Sequence, residues 1–209
     1  MHAPRILCLT VVAMGLAACG RALPKYEKPI ARAQFQHVRT TAYTHTESDH
    51  LVHGHLTSLG TQLRSGGISS AAADWSRWPA GTVFRILNTG QTFEVDDIGW
   101  ALAGRNTIDL YKPTRGAMND WGVRTVDIEV LQWGDDQRSR ELLARRCKYA
   151  HCKRMFADLE KRIASGATNP ANAEPSQPVG LVAAAVPAYP QSENGAPMKN
   201  FANQRNTTR

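Results

Sequence analysis

The sequence predicts an all-β domain followed by a helical extension, and three observations carry that reading. Between Val38 and Trp133, short runs rich in β-branched and aromatic residues alternate with Gly and polar turns. After Gly134 the apolar spacing becomes helical, placing Tyr149, Cys152, Phe156, Leu159 and Ile163 on one face. From about Ala167 the chain is Ala, Asn, Pro, Ser and Gln without usable periodicity, which reads as a disordered tail dispensable for the fold.

Residues 1–19, MHAPRILCLTVVAMGLAAC, have a short n-region with Arg5 and an apolar run from Ile6 to Ala18 that is too short to span a bilayer comfortably. This is an export signal. Its last four residues, Leu16, Ala17, Ala18 and Cys19, resemble the lipobox of bacterial lipoproteins. That resemblance implies acylation of Cys19 and attachment of the mature chain to a membrane, and more than one acyl chain makes such an anchor stable. Gly20, where an Asp often retains such proteins in the inner membrane, implies the outer membrane, facing the periplasm. The formal net charge of +7 favours acidic partners such as lipid headgroups or wall-peptide carboxylates. Nucleic acid is set aside, because no nucleic-acid fold signature is present and the chain carries an export signal.

Residues 20–37, with Pro24, Lys25, Lys28 and Pro29, lack periodicity and read as a linker. The barrel is expected at 38–133, in the runs VRTTAY, TVFRIL, TFEV, TIDLY and RTVDIEVLQW, with a tight turn at Asn88–Gly90. In the last run Val126, Ile128 and Val130 alternate with Asp127, Glu129 and Gln132, as in a strand with one buried and one wet face. Residues 134–166 form the helical extension, one long helix or a broken pair. Asp135 and Asp136 are its N-cap candidates and Gly166 closes it. Its basic face reads as solvated. Residues 167–209 form the tail. Cys147 and Cys152 are the cysteines left to the mature domain. An oxidising periplasm permits their pairing, while one continuous helix would hold them on different sides, so a disulfide stays open.

The chemistry-bearing stretch runs from Ser70 to Val130. Asp74 precedes Pro79, Gly81 and Thr82; Asp97, Ile98, Gly99 and Gly104 follow; Asp109 stands between Ile108 and Leu110 before Tyr111; Gly122 and Arg124 lead the closing run. In that order the blocks resemble the three-aspartate domain, a double-psi β-barrel found in cell-wall proteins related to membrane-bound lytic transglycosylase A. The resemblance covers about Thr40 to Leu131, with Thr41 and Tyr43 matching the opening strand. Trp75 stands where the family often has Pro, and Ile98 replaces the usual Thr, removing a hydroxyl near Asp97.

An Asp amid apolar strand residues is costly to bury without partners or function. Where three carboxylates converge, repulsion and partial burial raise one pKa and keep that group protonated, as a general acid requires. The resemblance implies a peptidoglycan lytic transglycosylase. Asp109 would protonate the glycosidic oxygen and then take the proton from the substrate's own C6 hydroxyl as the 1,6-anhydro ring closes. Asp97 and Asp74 would tune it and bind the glycan strand, with Thr41, Tyr43, Gly99 and Trp100 beside them, and no cofactor is called for. Aromatic faces suit sugar rings, but packing is the plainer role for Trp75, Trp78 and Trp100, while Trp121 and Trp133 are assigned to the core.

The stretch HTESDHLVHGH holds His45, Glu47, Asp49, His50, His53 and His55, enough donors for zinc. Its spacing matches no metal motif, so His45, His50, His53 and His55 are weak candidates and no metal is assigned. Two rival functions remain: a barrel that only binds wall glycan, and a metal-dependent hydrolase using the His-rich loop. Retention of all three aspartates favours the enzyme over the binder.

Overall fold

The computed structural model describes residues 22–47, 51, 54–167 and 169–170. The signal segment with Cys19, the residues His50 and His53, and the chain from residue 171 lie outside the described residues. Six strands, β1 (Phe35–Tyr43), β2 (Ile68–Ala72), β3 (Val83–Ile86), β4 (Thr92–Asp97), β5 (Ile108–Tyr111) and β6 (Arg124–Gln132), close into a barrel in the order β1-β5-β2-β4-β3-β6. The pairs β1·β5 and β2·β4 are parallel and the other four antiparallel. Exchanging β1, β2 and β3 for β4, β5 and β6 leaves both the order and the sense of every pair unchanged. The two halves of the domain therefore occupy equivalent places around the barrel.

Five strands fall on the five expected runs. In β6, Val126, Ile128 and Val130 are buried while Asp127 faces water, so the alternation reads as expected. Strand β2 and helix α1 (Arg115–Trp121) were not among the expected elements. Helix α1 is capped by Thr114, whose side chain accepts from Ala117 N, and ends at Gly122 with φ 59°. Arg124 then donates Nε and Nη2 to the carbonyls of Trp121 and Asp120, each 2.7 Å away. The Gly122 and Arg124 pair thus terminates a helix and starts a strand.

Alternation splits the strands into two faces. Val38, Ala71, Phe93, Val95, Ile108 and Leu110 point into the barrel core. Tyr43, Ala72 and Tyr111 point outward and pack with Leu102 in a second small cluster. Tyr43, Ala72 and Leu102 of that cluster line the candidate site.

The extension is a broken pair: α2 (Asp136–Ala144) and α3 (Ala150–Ala164), joined by an irregular corner. Asp135 is the N-cap of α2, accepting from Arg138 N, and Gly166 follows α3 with φ 69°. Leu143, Cys152, Met155 and Leu159 are fully buried against the barrel core. Tyr149, expected on that apolar face, lies instead in the corner, and is 49% exposed, because the break at 145–149 rotates it out of register. Both Cys147 and Cys152 are free thiols. Gly134 sits where the barrel hands over to α2, and a Cβ there would run into the carbonyls of Pro79 and Ala80.

The segment 22–34, read as a linker, is docked on the domain. Arg32, with its side chain 4% exposed, donates to the carbonyls of Ser76 and Arg77 at 3.0 Å and pairs with Asp136 at 2.9 Å. Glu27 accepts from Asn106 N at 2.9 Å and pairs with Arg105. Polar side chains and backbone hold this segment, so apolar periodicity could not reveal it. Among the described residues no helix is long and apolar enough to cross a membrane.

Candidate active site

Two of the three aspartates reach one groove of about 920 Å³ on the outer face of the barrel. Asp109 lies on β5 between β1 and β2, in register with Thr41 on one side and Ala72 on the other. Its neighbours Ile108 and Leu110 point inward, so Asp109 points outward with the same alternation as Tyr111. It is half-buried, and Thr41 donates its hydroxyl to Oδ1 at 2.7 Å. The small Ala72 opposite leaves the carboxyl open to the groove.

Asp97 reaches the same face by a different device. Continuing the inward alternation of Phe93 and Val95 would aim Asp97 into the barrel. The register against β2 shifts so that Ala71 faces Val95 and Ala72 faces Asp97, which leaves Asp96 as the extra residue of a bulge. A bulge re-aims a side chain. Asp97 Oδ1 accepts from Ser58 N and Ile98 N at 2.9 Å and from the Ser58 hydroxyl, and Oδ2 accepts from Tyr43 Oη at 3.1 Å. Thr41 and Tyr43, two residues apart on β1, therefore contact the two carboxylates in turn. Burial and the charges of Asp97, Asp96 and Asp109 hold the Tyr43 phenol well above its ordinary pKa, so it stays a donor. Ile98 lacks a hydroxyl, and Ser58 supplies one from another segment.

Asp74 does not line the groove. It is fully enclosed, accepting from Ser76 N at 2.8 Å, from the Ser76 hydroxyl at 2.6 Å and from Gly104 N at 2.5 Å, with Arg77 Nε 3.7 Å away. Gly104 has φ 80°, a conformation that favours glycine, and this turn presents its N–H to Asp74. Burial outweighs these donors and raises the Asp74 pKa. Its contacts join the turn after β2 to the turn before β5, so it supports the site from behind and cannot touch substrate. Trp75 assists by donating Nε1 to the Asp97 carbonyl at 3.0 Å.

Asp127 is an exposed strand residue paired with His37, as its sequence context suggests. Asp96 is not a strand-edge residue of that kind. It is 1% exposed, because the ordinary alternation of β4 puts it on the outer face beside Glu94, where Arg64 at 2.9 Å and the Ser70 hydroxyl at 2.8 Å cover it. Burial raises its pKa. Trp75, Trp78, Trp121 and Trp133 are buried, whereas Trp100, in a short 3-10 turn (Trp100–Leu102), lines the groove with Gly99.

The α2–α3 corner also lines the groove, through Arg146, Tyr149, His151 and Cys152. Sequence reasoning placed these residues in a solvated basic face or an apolar stripe and assigned none of them to the site. Ser58 was likewise missed, since a serine in a polar loop carries no signal of its own. Burial holds the His151 imidazole below its ordinary pKa, favouring the neutral ring, and pushes the Cys152 thiol up to about 11. Of the histidine candidates, His45 and His55 lie with ring centres 3.9 Å apart and planes tilted by 34°, and His45 Nδ1 lies 2.8 Å from Tyr111 Oη. Among the described residues no group of three His, Cys, Asp or Glu is arranged to hold a metal, and His50 and His53 lie outside them. In comparisons with known proteins, no family model and no curated sequence matches the chain.

Proposed function

We propose that this chain is a peptidoglycan lytic transglycosylase that cleaves the β-1,4 bond between N-acetylmuramic acid and N-acetylglucosamine. The observation that carries the reading is the meeting of Asp97 and Asp109 in one groove, contacted by Tyr43 and Thr41. The reading of a double-psi barrel is supported by the two parallel pairs related by the exchange of the two halves. The order of the motif blocks adds the resemblance to the three-aspartate domain.

With four donors on its oxygens, Asp97 is the poorer source of a proton. Asp109 is therefore the acid in this reading. It gives its proton to the glycosidic oxygen as the C1–O bond breaks. The resulting carboxylate takes the proton of the C6 hydroxyl, whose oxygen closes on C1. The acid is regenerated without water, so one carboxyl suffices where ordinary glycoside hydrolases use two at a set separation. Asp97 orients the Tyr43 hydroxyl and the 57–60 loop, and Trp100 offers an aromatic face to a sugar ring.

The signal segment and its Leu-Ala-Ala-Cys ending support export and anchoring through Cys19, which would place the groove at the outer membrane beside its polymer. Incubating the purified protein with insoluble sacculi and analysing soluble products by mass spectrometry tests the reading. Muropeptides ending in 1,6-anhydro-N-acetylmuramic acid are expected. Reducing-end products would replace it with a hydrolase, and glycan binding without release would replace it with a binding module.

A further inference from the structure

The helical extension does more than cover one side of the barrel. Its corner places Arg146 at the groove, where Nη2 donates to the carbonyl of Ser58 and Nη1 to the carbonyl of Leu142 at 3.1 Å. Ser58 in turn donates both its backbone N–H and its hydroxyl to Asp97 Oδ1. The same hydroxyl accepts from Ile98 N at 3.3 Å, and the next residue, Leu59, donates its N–H to the Asp96 carbonyl at 3.3 Å. A continuous path of hydrogen bonds thus runs from the end of α2 to the carboxylate at the end of β4. On the basis of these contacts, and resting on the transglycosylase reading, we infer that Arg146 is a positioning residue for Asp97, acting through Ser58.

The 57–60 segment lacks the support of a sheet. It belongs to no strand of the barrel, being held instead by a turn closed by Thr57 and Thr61 and by the bonds named above. A loop held by few bonds wanders, and a donor on such a loop fixes a carboxylate only as well as the loop itself is fixed. Arg146 supplies a planar fork whose two nitrogens reach two carbonyls at once, one on the helix and one on the loop. Lysine has one nitrogen on a flexible stem and cannot reproduce that bridge. Helix α3 anchors the corner from the other side, since Cys152 and Met155 are fully buried in the core. The extension therefore braces the Asp97 side of the groove through Ser58.

The experiment compares the full chain with Arg146→Met, which keeps the length of the stem, with Arg146→Lys and with Ser58→Ala. Turnover of sacculi and the carboxyl-carbon NMR titration of Asp97 are both measured. Arg146→Met should lower kcat about tenfold, the equivalent of losing one good bond from the transition state, with KM and thermal midpoint little changed. Arg146→Lys should recover only part of this loss. Asp97→Asn should cost less in the Arg146→Met background than in the wild type, because the two act as a unit. The Asp97 titration should move in Arg146→Met and in Ser58→Ala. An unchanged kcat together with an unchanged Asp97 titration in Arg146→Met would overturn the inference. An Asp97 titration that moves in Arg146→Met, when the wild type itself releases no anhydro products, would support the brace and overturn the reaction.

Discussion

The groove and the enclosed polar seam around Asp74 use the same side chains to opposite ends. In the seam, Asp74, Arg77, Arg32 and Asn169 are enclosed, and their polar groups bond to one another, to turns and to the docked segment 22–34. In the groove, Asp97 and Asp109 sit on the outer face of the sheet and line one cavity, Asp97 deep in its wall at 5% exposure and Asp109 half-buried. Neither residue type nor motif distinguishes the two. Position relative to the sheet does, since the barrel's alternation and a single bulge decide which carboxyl lines the groove. A buried polar network fixes structure, and a carboxyl at a groove is available for chemistry.

The same amide substitution in the two regions breaks this comparison most sharply. Asp109→Asn is expected to lower release of anhydro-muropeptides by on the order of a hundredfold to ten-thousandfold. Its thermal midpoint and binding to sacculi should stay near wild type. Equal release by both forms would remove Asp109 from the reaction. The seam should respond in stability instead. Asp74→Ala strips the acceptor from Ser76 and Gly104 and removes the carboxylate that pairs with the buried Arg77. A loss of about 3 kcal/mol or more in urea unfolding is expected. A variant as stable as wild type would show that the seam is not what holds these turns.

Asp96 stands between the two regions, buried like the seam but on the groove's face of the sheet, and its pH dependence locates it. Burial raises its folded pKa above the ordinary carboxylate value. In the window between those two values the folded state holds the proton and the unfolded state has lost it, so stability falls as pH rises and levels off above the folded pKa. Asp74 contributes with the same sign. Asp96→Asn should therefore flatten the decline of the unfolding free energy just above the ordinary carboxylate range. A decline as steep as in wild type would mean that Asp96 is ionised throughout by its pairing with Arg64.

Much of the framework was legible because it rests on alternation and capping. Five runs mark five strands, and Asp135 and Gly166 mark the ends of the helical extension. Strand β2 was not legible because ISSAA offers small and polar residues where β-branched ones are expected, its role being to lie close between β4 and β5. Helix α1 was hidden by its shortness. In the site, Asp109 is readable from its apolar flanks. Asp97 is not readable from alternation at all, which aims it inward, and only the motif drew attention to it. The part played by Ser58 and Arg146 depends on contacts across 88 positions of chain, which no local pattern records.

The smallest effect expected concerns where the seam ends. Composition places the boundary of the fold at Gly166, with everything beyond dispensable. The structure carries the chain a little further: Asn169 is 4% exposed, its side-chain oxygen accepts from Arg32, and its Nδ2 donates to the Gly134 carbonyl at 3.0 Å. Arg162 Nη2 lies 3.4 Å from the same oxygen. Ending the chain at Gly166 removes a partner from a buried guanidinium and from the carbonyl at the tightest passage between barrel and α2. Ending it at Pro170 removes neither. The shorter form should be less stable by about 1–2 kcal/mol in urea, with an unchanged slope because little surface is involved. Restoring the difference with Asn169→Ala in the longer form would assign it to this one side chain. Two truncations of equal stability would instead show that the seam closes on Asp136 alone.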